Sequence, residues 1–303
     1  MNQLLDDLIK VMTLERLELD LFRGESRDIG SPQVFGGQVL GQALVAATAT
    51  VEERVVHSLH AYFLRRGDFN SPIVYEVDRA LDGKHFSSRR VIAIQHGRQI
   101  FNMSASFQLP ETGVDHQIPM PDVPLPESLP DVESHYRGMA DRLPPAARRM
   151  LEQKRPFEFR PVLPPDLLRQ AKSEPLKYIW FRAVDKLAVD KPAGDEEALH
   201  RCLLAYVSDF HLLDTALKPH GLSMISPKLV IASIDHAMWF HRSVRVDDWL
   251  LYAIDSPSAS GARGFTRGSV FARDGRLVAS AAQEGLIRVR EDPRGGAGSE
   301  ATR

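Results

Sequence analysis

The sequence predicts an α+β fold of two tandem units, in each of which an antiparallel sheet wraps around a long helix. Three observations support this prediction. A pattern in which a His-Ala step leads into three bulky apolar residues and ends in an arginine occurs at 57–66 and again at 233–242. A mostly apolar helical stretch precedes each copy. Alternating strands with a glycine turn follow each copy, so the chain is expected to be a duplication.

The first unit, assigned to residues 1–110, is centred on a helix predicted over 35–48. Three glycines in this helix each cost ~1 kcal/mol relative to alanine, so close packing inside the sheet must stabilise it. A short amphipathic helix at 2–12 and a strand at 17–22 precede it. The strands of the sheet are expected at 56–66, 73–82, 85–96 and 99–109.

The second unit, assigned to residues 176–290, repeats this order. Its helix is expected at 198–217, and its strands at 178–183, 229–242, 249–255, 264–273 and 276–289. Residues 111–175 hold most of the chain's 20 prolines and are expected to form an ordered crossover linker without regular sheet. Residues 291–303 are rich in glycine and are expected to be a disordered tail.

Composition excludes several functional classes. The 303 residues carry 38 Lys plus Arg against 40 Asp plus Glu, a net charge of −2 that offers no general attraction for nucleic acid. The single cysteine, Cys202, lies in an apolar run and is expected to be buried rather than reactive. No run is long and apolar enough to span a membrane, no signal peptide is evident, and no zinc-ligand spacing occurs, so we expect a cytoplasmic protein without a metal.

Five segments together resemble the acyl-CoA thioesterase II family, whose fold is a double hot dog. They cover most of the chain outside the proline-rich linker and the tail, and they lie at 36–44, 57–64, 208–210, 234–242 and 282–285. The resemblance implies hydrolysis of acyl-CoA thioesters, of medium to long chain length, without a cofactor. It also implies a homo-oligomer, a dimer or a tetramer.

The family's catalytic trio consists of an Asp on the second helix, a Thr or Ser on the following strand and a Gln on the last strand. The resemblance carries these roles to Asp209, Ser233 and Gln283. The chemistry is consistent, because a carboxylate can take a proton from water while a hydroxyl and an amide hold that water. An aspartate among the apolar neighbours of a buried helix is also costly to leave unpaired, which favours a functional role for Asp209.

Two further assignments complete the expected site. Backbone N–H groups of Gly36 and Gly37, at the start of the first long helix, are candidates for stabilising the oxyanion. Arg263 and Arg267 are candidates for binding the phosphates of CoA.

The histidines are expected to be structural. Successive strand residues point to opposite faces, so Ser233 and Asp235 should share a face from which His236 is excluded. His60 and His236 occupy equivalent places in the repeated pattern and are expected to be satisfied in the core or between the halves. His57 then takes the place of Ser233 in the first half, which predicts one site per chain.

Two alternatives remain open. An enoyl-CoA hydratase of the same fold would need an Asp and a His a few residues apart, and Asp209 and His211 are too close for that pattern. A non-catalytic acyl-CoA-binding regulator would need a DNA-binding segment, and no basic stretch is evident.

Overall fold

The computed structural model describes residues 2–31, 33–138, 140–143, 145, 148, 153–163, 171–187, 193–226 and 228–290. The α-helices in these residues are α1 (Gln3–Met12), α2 (Gly36–Thr48), α3 (Val132–Arg137) and α4 (Ala193–Ser208). The strands of the first half are β1 (Glu15–Glu18), β2 (Leu21–Gly24), β3 (Val55–Phe63), β4 (Ile73–Asp82), β5 (Phe86–Gln95) and β6 (Arg98–Gln108). Those that follow are β7 (Phe157–Pro161), β8 (Leu176–Ala183), β9 (Leu229–Ser233), β10 (Asp235–Phe240), β11 (Leu250–Ser260), β12 (Arg263–Ala272) and β13 (Leu277–Val289).

The strands form one large antiparallel sheet. Within the described residues, its order is β1-β2-β4-β5-β6-β3-β10-β13-β12-β11-β8-β7, and β9 pairs with β13. The two halves join where β3 and β10 run antiparallel, with Leu59 opposite Met238. The expectation of two sheets is therefore corrected in one respect, because backbone hydrogen bonds continue from one half into the other.

The two long helices pack against each other at glycines. A Cβ added at Gly37 would lie 2.2 Å from the carbonyl oxygen of Tyr206, and one at Gly41 would lie 3.2 Å from that of Cys202. Residues four apart share one helix face, so these two glycines let the backbones of α2 and α4 approach closely. Cys202 is buried in this contact zone, as expected.

The second long helix differs from its prediction. It spans Ala193–Ser208 rather than 198–217, and a 3₁₀ helix, Leu213–His220, follows it. Between the two, His211 adopts a left-handed conformation with φ of 64°, which breaks the α-helical path. A run of apolar residues cannot signal such a break, so the sequence pattern joined two elements into one.

The proline-rich segment contains a strand that was not expected. Strand β7 pairs with β8 and lies at the edge of the sheet, a position that tolerates its terminal Pro161. Upstream of it, the indole of Trp180 donates to the carbonyl of Pro124 at 2.9 Å, so part of the segment covers a second, smaller core. That core contains Trp180, Trp249, Leu251 and Phe271.

Several other boundaries differ from their predictions. Strand β3 ends at Phe63 rather than at 66, and β11 extends to Ser260 rather than to 255. The predicted strand at 229–242 is divided into β9 and β10. The predicted strand at 17–22 is instead the hairpin of β1 and β2. Residues 291–303, predicted to form a tail, lie outside the described residues, and the division into domains stays a prediction. None of the helices in the described ranges has the length and apolar character needed to cross a membrane.

Candidate active site

A cavity of 1430 Å³ lies where α2 begins and α4 ends. All three residues of the predicted trio, Asp209, Ser233 and Gln283, line it. Apolar side chains contribute much of the remaining wall, among them Phe35, Phe210, Leu213, Leu217, Met224 and Ile231. The cavity therefore combines a polar corner with an apolar interior, as small-molecule sites commonly do.

Asp209 lies in the turn directly after α4 rather than inside a helix. The amide of Phe210 bonds back to Val207, and the left-handed His211 then redirects the chain. Asp209 is partly buried and borders the cavity. The helix end thus points the carboxylate into the cavity.

The trio is brought together by direct hydrogen bonds. The amide nitrogen Nε2 of Gln283 donates to Asp209 Oδ1 at 2.6 Å and contacts Ser233 Oγ at 3.1 Å. The Ser233 hydroxyl lies 3.3 Å from the same Asp209 oxygen. Residues from a helix end and two separate strands therefore converge on a single carboxylate oxygen.

The other oxygen of Asp209 faces the start of α2. A Cβ added at Gly36 would lie 2.7 Å from Oδ2. The N-terminus of α2 has no side-chain cap and no acidic residue in its first turn, so Asp209 supplies the negative charge that a helix N-terminus favours. Oδ2 accepts no hydrogen bond from the described residues, which leaves it available to a substrate water.

His236 joins this network, contrary to the prediction from strand alternation. Its Nδ1 lies 3.2 Å from Gln283 Nε2, so it contacts the same amide as Ser233. The reason is an interruption at Ile234, where β9 ends and β10 begins. Ser233 pairs with Gly285 of β13, and Ala237 pairs with Ala282. The chain therefore advances four residues from Ser233 to Ala237 while β13 advances three, so one residue is extra, as at a β-bulge. An inserted residue reverses the alternation and turns His236 inward.

His60 and His236 are not equivalent in the structure. His60 is exposed and packs edge-on against Trp239 at 5.3 Å, whereas His236 is fully buried. The buried residues of β3 and β10 match when the repeated pattern is aligned one residue differently. Leu59, rather than His60, is then the counterpart of His236. Leu59 pairs with Ala105, and Ala49 follows α2 as Asp209 follows α4. The first half therefore has apolar residues at the positions that correspond to His236, Gln283 and Asp209.

The two glycines of the predicted oxyanion site have different surroundings. Gly36 lines the cavity, and its N–H is at the first helical position, where no intrahelical acceptor exists. Gly37 instead faces the carbonyl of Tyr206 between the helices. Of these two glycines, Gly36 borders the cavity and Gly37 does not.

Arg263 and Arg267 are not brought to the cavity. They project from exposed positions of β12, whose alternate residues Gly264 and Thr266 face inward. Arg263 Nε donates to Glu284 at 2.9 Å, and Arg267 forms an ion pair with Asp255. Strand alternation accounts for this placement, because these arginines lie on the opposite face of the sheet from Gln283.

Other cations line the cavity and were missed in the sequence. Lys177 Nζ pairs with Asp214 at 2.6 Å, and Arg155 lies over the ring of Phe210 at 4.9 Å. Arg66, at the end of the first repeated pattern, is exposed at the cavity rim. These positive side chains come from three separate segments, so no local motif could have identified them.

The buried histidines beside the cavity are held neutral. Burial lowers the pKa of His236, although the charge of Asp209 opposes this effect. Burial also holds the pKa of His211 well below its ordinary value of 6.5, and the neighbouring Lys177 and Arg155 add to the effect.

In the described part of the chain, no group of three or more His, Cys, Asp or Glu residues could hold a metal ion.

Comparison with known proteins identifies the family of this chain. Residues 23–108 match the family model described as the acyl-CoA thioesterase N-terminal domain, and residues 150–286 match the acyl-CoA thioesterase model. Acyl-CoA thioesterase 2 of Haemophilus influenzae is 41% identical over 292 residues, covering 96% of this chain and 100% of that protein. Acyl-coenzyme A thioesterase 8 of Homo sapiens is 43% identical over 288 residues, covering 92% and 88%.

Solved structures give the same result. An acyl-CoA thioesterase II from Mycobacterium marinum superposes with a TM-score of 0.73 at 39% identity, over 93% of this chain and 98% of that one. A protein with a hot-dog fold from Alicyclobacillus acidocaldarius has a TM-score of 0.72 at 17% identity, over 94% and 99%, a similarity of fold alone. The chain belongs to the acyl-CoA thioesterase II family, a family of thioester hydrolases.

Proposed function

We propose that this protein hydrolyses fatty acyl-CoA thioesters of medium to long chain length to the free acid and CoA, with Asp209 as the general base. The observation that supports the proposal best is the unequal use of the two carboxylate oxygens. Oδ1 accepts hydrogen bonds from the Gln283 amide, at 2.6 Å, and from the Ser233 hydroxyl. Oδ2 accepts no hydrogen bond from the described residues and lies beside Gly36, which lines the cavity together with Asp209.

In this mechanism, Asp209 takes a proton from a water molecule as the water oxygen attacks the thioester carbonyl carbon. The carbonyl electron pair moves to oxygen, and the N–H of Gly36 donates to the resulting oxyanion. The intermediate then collapses, the carbon–sulfur bond breaks, and the proton on Asp209 returns to the CoA thiolate. Base catalysis contributes ~10²–10⁴-fold, and one aligned oxyanion donor contributes ~10²–10³-fold.

The apolar part of the cavity suits the fatty acyl chain. Phe210, Leu213 and Ile231 line the same cavity as the trio. The volume of this cavity, 1430 Å³, exceeds that of typical small-ligand pockets. Arg66, Arg155 and Lys177 replace Arg263 and Arg267 as candidates for the phosphates of CoA. We also infer that the two halves are tandem hot-dog units. We infer further that the chain forms a homo-oligomer, whose mass light scattering would measure.

The test is release of CoA from palmitoyl-CoA, followed with a thiol reagent, for the unmodified protein and for Asp209→Asn. The asparagine keeps the shape and loses the base, so we expect turnover to fall by ~10²–10⁴-fold. Asp255→Asn, on the outer face beside Arg267, is the matched control and should keep its activity.

Three outcomes would contradict the proposal. Turnover of Asp209→Asn near that of the unmodified protein would exclude Asp209 as the base. Tight retention of palmitoyl-CoA without release of CoA would instead indicate a non-catalytic binding protein. Hydration of an enoyl-CoA would indicate the hydratase alternative, in which His211 would have to act although its Nδ1 faces Lys177 rather than Asp209.

A further inference from the structure

The amide of Gln283 has more acceptors around it than it has hydrogens. Its Nε2 carries two N–H bonds and lies near three acceptors. These are Asp209 Oδ1 at 2.6 Å, Ser233 Oγ at 3.1 Å and His236 Nδ1 at 3.2 Å. The carbonyl oxygen of Gln283 is buried and makes no hydrogen bond within the described residues. The contacts of Nε2 therefore determine which way the amide points.

His236 can accept from this amide only if its own proton is on Nε2. That nitrogen lies 2.9 Å from Ser208 Oγ, and the Ser208 hydroxyl in turn donates to the carbonyl of Ala205 at 2.9 Å. The donors therefore run in one direction, from Gln283 to His236, to Ser208 and to the last turn of α4. All three side chains are at most 1% exposed, so water does not compete for these bonds.

The opposite orientation of the Gln283 amide would be unfavourable. Rotating it by half a turn would bring its oxygen to about the position of Nε2, 2.6 Å from Asp209 Oδ1. Two oxygens without a proton between them repel, and the flipped oxygen would also face the unprotonated Nδ1 of His236. An acceptor at His236 Nδ1 thus favours the orientation that donates to Asp209.

The first half of the chain provides an internal comparison. Leu59 and Ala105, which pair across β3 and β6, occupy the positions of His236 and Gln283. Where the amide is absent, the histidine is absent too. This difference is not explained by packing alone, because both Leu59 and His236 are completely buried.

We propose that His236, held by Ser208, is a positioning residue that orients the Gln283 amide toward Asp209 and thereby aligns the carboxylate for proton transfer. The inference rests on the proposed function, in which Asp209 is the base. His236 does not border the cavity among the described residues, so it acts through Gln283 and not on the substrate. Loss of its acceptor is expected to affect the chemical step rather than substrate binding.

The experiment compares His236→Leu, which removes the acceptor, with His236→Asn, whose side-chain oxygen can occupy the position of Nδ1. Misplacement of a catalytic group by about 1 Å costs ~10²-fold, so we expect kcat of His236→Leu with palmitoyl-CoA to fall by roughly that factor. KM should stay within about twofold, since an interaction needed only in the transition state changes kcat alone. The kcat of His236→Asn should be at least about tenfold higher than that of His236→Leu.

His241 supplies the matched control. It also bonds through Nε2 to a serine, Ser280, at 2.9 Å, but it is exposed and outside the cavity lining. His241→Leu should keep kcat and KM. If His236→Leu does not give a cooperative thermal transition, Ser208→Ala decides instead: a reduced kcat with unchanged KM supports the inference, and an unchanged kcat overturns it.

The result separates this inference from the proposed function. If the unmodified protein is active, Asp209→Asn is inactive and His236→Leu keeps its kcat, then the positioning role is wrong and the base assignment stands. Equal losses in His236→Leu and His236→Asn would also overturn the positioning role, because restoring the acceptor would then have no effect. If the unmodified protein releases no CoA, the proposed function itself fails.

Discussion

Substitution of Gly36 by alanine tests whether the position of the Asp209 carboxylate determines activity. The added Cβ would lie 2.7 Å from Asp209 Oδ2 and 3.1 Å from the ring of Phe63. Contacts below 3.0 Å are essentially never found for a real Cβ, and ordinary contact begins near 3.4 Å. The carboxylate must therefore move by about 0.7 Å or α2 must shift by a similar distance.

The expected effect follows from this displacement. Because a misplacement of about 1 Å costs ~10²-fold in rate, we expect Gly36→Ala to lower kcat by roughly 10- to 100-fold. Alanine also raises helix propensity by up to ~1 kcal/mol relative to glycine, so the variant should not lose stability through its helix. The predicted phenotype is a folded protein with a slow chemical step.

Gly194→Ala is the matched control, since Gly194 is in the first turn of α4 as Gly36 is in the first turn of α2. No atom of the described residues lies within 4 Å of a Cβ at Gly194. Steady-state hydrolysis of palmitoyl-CoA and thermal unfolding should be measured for both variants. Wild-type kcat in Gly36→Ala would refute the reasoning, because it would mean that the site tolerates displacement of its carboxylate.

Three further predictions concern the rest of the molecule. Replacing Arg263 and Arg267 with alanine should leave KM for palmitoyl-CoA within about twofold of the unmodified value and change the free energy of unfolding by no more than about 1 kcal/mol. Both side chains form exposed ion pairs on the outer face of the sheet. A tenfold rise in KM would show that these arginines do bind CoA. Gly37→Ala should lower the free energy of unfolding by about 1–3 kcal/mol in chemical denaturation, since its Cβ would lie 2.2 Å from the Tyr206 carbonyl; unchanged stability would contradict the close helix contact. Burial lowers the pKa of His236 from 6.5, so below about pH 6.5 the unfolded chain binds more protons than the folded chain. This histidine should therefore make the melting temperature fall as the pH decreases. The fall should be less steep in His236→Asn, which lacks the titrating group. Equal slopes for the unmodified protein and His236→Asn between pH 7 and pH 5 would be inconsistent with a neutral buried His236.

Sequence patterns predicted the elements whose signals are local. The strand Ile73–Asp82 has the predicted bounds, and α2 differs from its prediction by one residue, because alternation and turn glycines act over a few neighbouring residues. The trio was found through its resemblance to a family, and the structure brings the three residues into contact. Composition and periodicity alone would not have selected Gln283.

The tertiary structure decided what depends on pairing between distant segments. The interruption at Ile234 turned His236 toward Gln283, an outcome that strict alternation excluded. The approach of Gly36 to Asp209 likewise depends on how α2 crosses the end of α4. Sequence by itself determined α1, α2 and most strands, since these follow from short-range periodicity. The register of the sheet and the packing of the helices determined which polar groups meet, because both depend on contacts between residues far apart in the chain.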